Sequence, residues 1–358
     1  MAETWEPMTV KLGTIVPIVT AALVKGLKIL LVGSPGIGRT AVLNAIVESL
    51  PPYKEGGKAA LLLNWFLAQE QEENVDGVPG KVTDKDGDYA VHLLFEKQRQ
   101  NMMINDRYVV NFLDDLLQGS TRKQSSHMQF WDGYILGEKV PDNVRFMAAT
   151  NDVKHMAGTV KAIEPLKSRC TCIYHVIADH PFWEKWAINS GQVRPDIIAY
   201  LNTNPHALDQ FNPSVSLTNC PSPRTWVHAS EMLTICEQVG ADQYHQKASV
   251  EGAIGAPECV AFFNFKTMVD RAVTPQVILA DPQGANVPEN ASIMYAVSLA
   301  LCNIVETQET AEYAMQYAKR LPAEFEALIV RQLCQKNESY KVTNEYIDYT
   351  ARHSDMLL

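Results

Sequence analysis

The first half of the chain contains short apolar runs separated by stretches with helical spacing. Four of these runs are predicted strands: KILLVGS (28–34), YVVNFLDDL (108–116), NVRFMAATND (143–152) and CTCIYHVI (170–177). Short, almost continuous apolar runs are typical of strands that are buried on both faces of a parallel sheet. Helical spacing flanks the first run, at 14–26 and 40–50. Alternating strands and helices predict a three-layer α/β fold with a parallel sheet.

Two segments of the first half are less clear. The run AALLLNWFLA (59–68) fits either a strand or a buried helix, because short apolar runs do not separate the two. The following segment, 69–89, is polar and rich in glycine and aspartate. Such a composition predicts a loop.

The pattern changes after about residue 180. Strand-like runs largely disappear, and long stretches such as RTWVHASEMLTICEQVG and NASIMYAVSLALCNIVET have helical spacing. We therefore predict two domains, an αβα domain over 1–179 and a mostly helical domain over 180–358.

Composition limits the cellular compartment and the binding partners that are expected for this chain. The formal net charge is −10, and such an acidic balance argues against broad nucleic-acid binding. A local basic pore or patch is the alternative that this charge does not exclude. Seven cysteines without a CxxC pair indicate free thiols in a reducing, cytoplasmic setting. The longest apolar run, 14–32, is broken by Lys25, Gly26 and Lys28, so we predict no membrane insertion. Histidines at no known ligand spacing predict no structural zinc.

The strongest chemical motif follows the first predicted strand. It comprises Gly33, Ser34, Pro35, Gly36, Ile37, Gly38, Arg39 and Thr40. Glycines let consecutive backbone N–H groups turn towards a phosphate, and a helix that starts near Arg39 adds the positive end of its dipole. The Thr40 hydroxyl can join the Mg²⁺ shell. The alternative is a glycine-rich turn without a ligand, which the flanking strand and helix disfavour.

Polar residues at the ends of two later strands complete a candidate phosphate site. Asp114 is placed to organise Mg²⁺, and Asp115 to polarise an attacking water. Asn151, after the third strand, can orient that water through its amide. A solvated acidic helix cap is the alternative for the two aspartates.

Two arginines are candidates for stabilising charge on the nucleotide. Arg169, before the fourth strand, could reach the γ-phosphate held by a neighbouring subunit. Arg224 follows Pro223, which suits the first turn of a helix, and could fold over the same nucleotide. An ordinary surface cation and an ordinary helix-start arginine are the alternatives.

The ordered set GSPGIGRT, FLDDL, AATN, LKSR and SPR resembles the AAA+ ATPases, and ENVDGVPG and LGEKVPDNVRFMAATN resemble their MoxR-like branch. The resemblance covers about residues 8 to 240. It implies an αβα nucleotide domain, a helical lid and a hexameric ring with ATP and Mg²⁺ between subunits. It also implies chaperone-like remodelling of a protein partner, often one with a von Willebrand factor type A domain.

The resemblance also assigns roles to the candidate residues. Gly36, Gly38, Arg39 and Thr40 would belong to Walker A, and Asp114 and Asp115 to Walker B. By the same resemblance, Asn151 would be sensor one, Arg169 the arginine finger and Arg224 sensor two.

Two positions depart from the family pattern, which has lysine at position 39 and glutamate at 115. Arginine keeps the charge but is a broad planar fork, whereas lysine is compact. Asp115 is one methylene shorter than glutamate, and misplacing the water by an ångström can cost about 100-fold in rate. We expect ATP binding with slow hydrolysis. A non-hydrolysing nucleotide-binding switch or scaffold is the alternative.

The segment 120–139 mixes polar and aromatic residues between Asp115 and Asn151. Phe130, Trp131 and Tyr134 are candidate contacts for a substrate, with core or inter-subunit packing as the alternative.

Overall fold

The computed structural model describes residues 7–71, 73–85, 87–152, 164–212 and 217–353. The chain divides into two compact units, Met1–Asp179 and His180–Leu358. Each unit is considered by itself below.

The described part of the first unit contains ten strands. They are β1 (Thr9–Lys11), β2 (Ile29–Gly33), β3 (Leu61–Phe66), β4 (Val78–Asp84), β5 (Gly87–Leu93), β6 (Val109–Asp114), β7 (Tyr134–Ile135), β8 (Glu138–Lys139), β9 (Val144–Asn151) and β10 (Cys172–Ile177). Its described helices are α1 (Val16–Val24), α2 (Arg39–Glu48), α3 (Glu73–Asp76), α4 (Glu96–Met103), α5 (Thr121–Trp131) and α6 (Glu164–Arg169). Short 3₁₀ turns cover Leu12–Ile15 and Leu116–Gln118.

Six of these strands form one parallel sheet in the order β1-β10-β2-β9-β6-β3. Neighbours in the sheet are not neighbours in sequence, because parallel strands need crossover connections, here made by the flanking helices. The central strands are almost wholly buried: every residue of β9 is buried, as are the first five residues of β6. The three-layer α/β prediction is confirmed, and the ambiguous segment at 59–68 contains the strand β3.

The loop prediction for 69–89 is wrong. Strands β4 and β5 pair antiparallel from Val78–Leu93 to Asp84–Gly87. The segment is rich in glycine and aspartate, residue types that are depleted in strands, so its composition favoured a loop. The strand pairing of this segment was therefore not predicted.

The aromatic residues of α5 belong to the core of the first unit. Phe130 and Trp131 are 1% and 0% exposed, and both pack against Phe146 of β9. Burial of this degree excludes the substrate contact considered for these two residues and decides for core packing. Tyr134 is 41% exposed, so its role as a contact stays a prediction.

The described part of the second unit is helical, as predicted. Its helices are α7 (His180–Ser190), α8 (Pro195–Thr203), α9 (Pro223–Gln238), α10 (Gln243–Ile254), α11 (Ala256–Asp270), α12 (Pro275–Ala280), α13 (Ala291–Ile304), α14 (Gln308–Ala318), α15 (Ala323–Lys336) and α16 (Asn344–Arg352). Helices α12 to α15 enclose an apolar core of their own, which includes Leu301, Tyr317 and Leu333.

All seven cysteines are free thiols. Among the residues that the structure describes, no group of three or more histidine, cysteine or acidic side chains could hold a metal ion. None of the described helices has the length and apolar character needed to span a membrane.

Candidate functional site

The glycine-rich loop connects β2 to the first turn of α2. Gly36 and Gly38 have φ values of 81° and 98°, in the left-handed region that favours glycine. Gly33 is required for another reason: a Cβ there would lie 2.7 Å from the carbonyl oxygen of Val176 in β10. Helix α2 begins at Arg39 directly after the left-handed Gly38. The loop thus combines permissive backbone with a helix N-terminus, the arrangement that binds phosphate groups.

The order of strands brings the other candidates to the same edge of the sheet. Strand β9 lies between β2 and β6, with Gly33 in register with Asn151 and Leu113 with Ala148. Because all three strands are parallel, their carboxyl ends share one edge. Asp114 ends β6 and Asn151 ends β9. The structure therefore brings together the loop, the two aspartates and Asn151.

Arg39 points across this edge to the end of β9. Its Nη1 donates to the carbonyl oxygen of Thr150, and its Nη2 donates to Oδ1 of Asn151 over 2.7 Å. The same Nη2 lies 3.8 Å from Oδ1 of Asp115, and the arginine side chain is only 10% exposed. The sequence predicted that Arg39 contacts a phosphate and did not predict these contacts. They exist because β9 lies beside β2 in the sheet.

Asp115 has an uncommon backbone conformation. Its φ and ψ are 51° and 44°, a left-handed geometry that aspartate tolerates better than most residues. Its N–H donates to Oδ1 of Asp114 over 2.9 Å, and its own Oδ1 accepts from Nδ2 of Asn151 over 3.4 Å. The side chain is 34% exposed. This turn presents the Asp115 carboxylate beside the Asn151 amide.

The oxygen donors at this edge suit Mg²⁺. Thr40, the second residue of α2, is exposed, and Asp114 adds a carboxylate at the end of β6. Hydroxyl and carboxylate oxygens are the hard ligands that Mg²⁺ prefers, and this ion commonly takes its remaining ligands from water and substrate phosphates. These two oxygens are therefore candidate ligands for an Mg²⁺ ion.

Arg169 ends α6 and is held within the first unit. Its Nε donates to Oδ2 of Asp132 over 2.7 Å, and its Nη1 donates to the carbonyl oxygen of Pro165 over 2.8 Å. The side chain remains 31% exposed. These two hydrogen bonds hold Nε and Nη1 of Arg169 in place, and the one to Asp132 joins residues that are 37 positions apart in the sequence.

Arg224 belongs to the second unit. It is the exposed second residue of α9, which begins with Pro223 after a capping box formed by Ser222 and Thr225. The helix start predicted from Pro223 is confirmed, and a role of Arg224 towards a nucleotide stays a prediction.

No family model matches the chain, and no curated protein matches it in sequence. Solved structures do resemble it. A putative ATPase from Cytophaga hutchinsonii is 12% identical with a TM-score of 0.33, over 74% of this chain and 90% of that one. NtrX from Brucella abortus, in complex with ADP, is 16% identical with a TM-score of 0.39, over 94% and 70%.

A lysine-to-arginine mutant of RuvB from Thermotoga maritima is 14% identical with a TM-score of 0.37, over 78% of this chain and 79% of that one. Values this low carry no argument by themselves. The order and direction of the strands, with the loop after β2, give the fold class: a P-loop NTPase sheet of the AAA+ type followed by a helical region.

Proposed function

We propose that this protein is an AAA+ ATPase that binds ATP with Mg²⁺ at the edge formed by the ends of β2, β9 and β6. One observation carries the proposal: the glycine loop, Asp114, Asp115 and Asn151 lie at a single sheet edge although they are far apart in sequence. In open α/β sheets, ligands bind outside the carboxyl ends of the strands.

Each residue has a role in the proposed site. The backbone of Gly33 to Thr40 cradles the phosphates, and Thr40 and Asp114 hold Mg²⁺. When bound, the ion neutralises charge on the β- and γ-phosphate oxygens. Asp115 accepts a proton from the attacking water, and the Asn151 amide orients that water; their mutual hydrogen bond supports a shared task.

Hydrolysis is expected to be slow, because two features of the site reduce it. Arg39 is engaged by Thr150 and Asn151 rather than held free for a phosphate. The carboxylate of Asp115 is one methylene shorter than that of glutamate. Isothermal titration of ATP and ADP, followed by a phosphate-release assay, tests the site: absence of binding for both nucleotides would contradict it.

A second candidate is a nucleotide-binding switch or scaffold without hydrolysis, favoured by the same engagement of Arg39. Restoring the family residues with Arg39→Lys and Asp115→Glu separates the two candidates. Measurable turnover in the unaltered protein that rises strongly in the variant supports a slow enzyme. ATP binding without any turnover in the unaltered protein supports the switch.

We further propose MoxR-like remodelling of a protein partner by a hexameric ring, with a von Willebrand factor type A protein as the candidate partner. Support comes from the MoxR-like segments of the sequence and from the exposure of Arg169, whose side chain is 31% exposed; to reach a phosphate of another subunit, its guanidinium must leave the ion pair with Asp132. In this proposal Arg169 reaches the nucleotide of the next subunit, and Arg224 closes over the nucleotide of its own subunit.

A ring-dependent site predicts that turnover depends on assembly. Specific activity should rise with protein concentration and level off once rings have formed, because Arg169 completes the site only in trans. Phosphate release measured across a dilution series, with light scattering to follow assembly, checks this. Full specific activity in the dilute monomer would contradict it.

A further inference from the structure

Arg39 joins three elements of the proposed site in the structure. It begins α2, yet its guanidinium donates to Thr150 and Asn151 at the end of β9. The same group lies 3.8 Å from the carboxylate of Asp115, after the end of β6. The contacts span 111 and 112 residues of sequence, so they exist only because β9 inserts between β2 and β6.

The chemistry of these contacts suits arginine better than lysine. A guanidinium presents N–H donors in a rigid plane and can serve two acceptors side by side. Here one terminal nitrogen serves a backbone carbonyl and the other serves a side-chain amide oxygen. A lysine ammonium is a single point of charge and cannot reproduce this fork. The departure from the family residue at position 39 therefore creates an internal contact as well as changing a phosphate ligand.

The Arg39 guanidinium is nearly buried, so its charge needs hydrogen-bond partners within the protein. With the side chain 10% exposed, the partners of its charge include the Thr150 carbonyl, the Asn151 amide oxygen and the nearby Asp115 carboxylate. Hydrogen bonds to charged groups are stronger than those between neutral groups. A terminal phosphate that takes this cation must therefore replace contacts that the free protein already has.

We propose that Arg39 is a positioning residue: without nucleotide it anchors Asn151, and through Asn151 Asp115, and the terminal phosphate of a nucleoside triphosphate must draw it away from them. This inference rests on the proposed nucleotide site. Its consequence is weak discrimination between ATP and ADP, because the gain from binding the third phosphate is offset by the loss of the anchor. A lysine at position 39 has no comparable anchor to lose.

The first test needs no nucleotide. Arg39→Lys, Asn151→Ala and the double variant form a cycle, and urea unfolding gives the equilibrium constant of each protein. We expect the effects of the single changes to be non-additive by about fivefold or more in that constant, as for residues in direct contact. Arg99→Lys, at an exposed position of α4, is the matched control and should combine additively with Asn151→Ala. Additive effects within about twofold for the Arg39 cycle would overturn the anchor.

The second test measures the ratio of the dissociation constants of ADP and a non-hydrolysable ATP analogue. Asn151→Ala should raise this ratio about fivefold in the presence of Arg39, since the released guanidinium becomes available to the third phosphate. In the Arg39→Lys background the same change should leave the ratio within about twofold. A role of Asn151 in packing alone would shift both dissociation constants equally and leave the ratio unmoved in either background.

The outcomes separate the two proposals. If the nucleotides bind and Asn151→Ala does not move the ratio, the inference is overturned while the proposed function stands. If no variant binds either nucleotide, the proposed function fails. The proposal that a terminal phosphate competes with Asn151 for Arg39 then fails as well. The urea cycle still decides whether Arg39 anchors Asn151.

Discussion

At the scale of single residues, the glycines of the loop are fixed by two different physical causes. Gly36 and Gly38 need positive φ, which any other L-residue adopts with strain. Gly33 has no such φ, and its constraint is contact with Val176 and Ile37. Glycine is therefore required at Gly36 and Gly38 for a positive φ and at Gly33 for close contact with the neighbouring strand.

This difference predicts the effect of adding one methyl group. Gly33→Ala should destabilise the protein by about 2 kcal/mol or more, because the new Cβ meets a backbone carbonyl that cannot move aside. Gly252→Ala is the matched control: Gly252 is exposed in α10 with open space around it, so alanine should stabilise by about 0.5–1 kcal/mol. Urea unfolding of both variants checks this, and equal signs for the two would refute the assignment.

At the scale of elements, the last described helix is attached by charged contacts in addition to apolar packing. Helix α16 contributes Arg352, whose guanidinium donates to both carboxylate oxygens of Glu326 on α15, and His353 follows with Nε2 3.1 Å from Oε2 of the same residue. Glu326 is 5% exposed at its side chain. Burial acts to raise its pKa, but the hydrogen bonds from Arg352 and His353 prevail and hold the pKa below its ordinary value.

Removing this carboxylate should loosen α16. Glu326→Gln should cost about 1–2 kcal/mol, because Arg352 loses a charged, nearly buried partner. Glu338→Gln, whose partner Lys341 lies on an exposed turn, is the control and should change stability by less than about 0.5 kcal/mol. Amide hydrogen exchange in α16 and thermal unfolding report the difference, and equal effects of the two changes would contradict the attachment.

The direction of the pKa shift also fixes a pH dependence. A carboxylate with a lowered pKa in the folded state stabilises above its ordinary pKa, and this stabilisation is lost as the pH falls through the folded-state value. The unaltered protein should therefore lose stability below about pH 4.5 more steeply than Glu326→Gln, in which nothing titrates at that position. Parallel stability curves for the two proteins between pH 6 and pH 3 would refute this.

At the scale of the whole molecule, the chain forms two units whose described parts differ in class, one built on a parallel sheet and one helical. The proposed mechanism involves more than one copy of the chain, because it gives Arg169, whose side chain is 31% exposed and bonded to Asp132, a role in the site of a neighbouring subunit. Assembly is therefore the level at which the proposed mechanism is most sharply tested.

Mixing two inactive variants should restore activity. Arg169→Ala and Asp115→Asn should each lower turnover by about 100-fold or more, since one lacks the charge given in trans and the other the base. A mixed ring contains interfaces with an intact Arg169 beside an intact Asp115, so it should regain part of the activity. Lys139→Ala, at a lysine of β8 whose side chain is 71% exposed, serves as the control and should retain turnover. Failure of all mixing ratios to exceed the single variants would exclude a site shared between subunits.

Local sequence signals predicted much of the fold and the position of the candidate site residues at the strand ends. Short apolar runs that end in polar residues identified β2, β6, β9 and β10, because burial on both faces leaves a nearly continuous apolar pattern. The glycine spacing identified the loop, since positive φ and close packing restrict the residue type. The β4–β5 hairpin was not predicted because its segment is rich in glycine and aspartate, residue types that are depleted in strands.

What the sequence by itself determined was therefore local: the class of each long element and the chemistry at the strand ends. The tertiary structure alone decided which of those groups touch. Trp131 is core rather than surface because α5 packs that face on β9, and Arg39 contacts Asn151 because β9 lies next to β2. The physical reason is the same in both cases. A side chain contacts the groups that lie near it, and which groups lie near it depends on the order of the strands and helices in space.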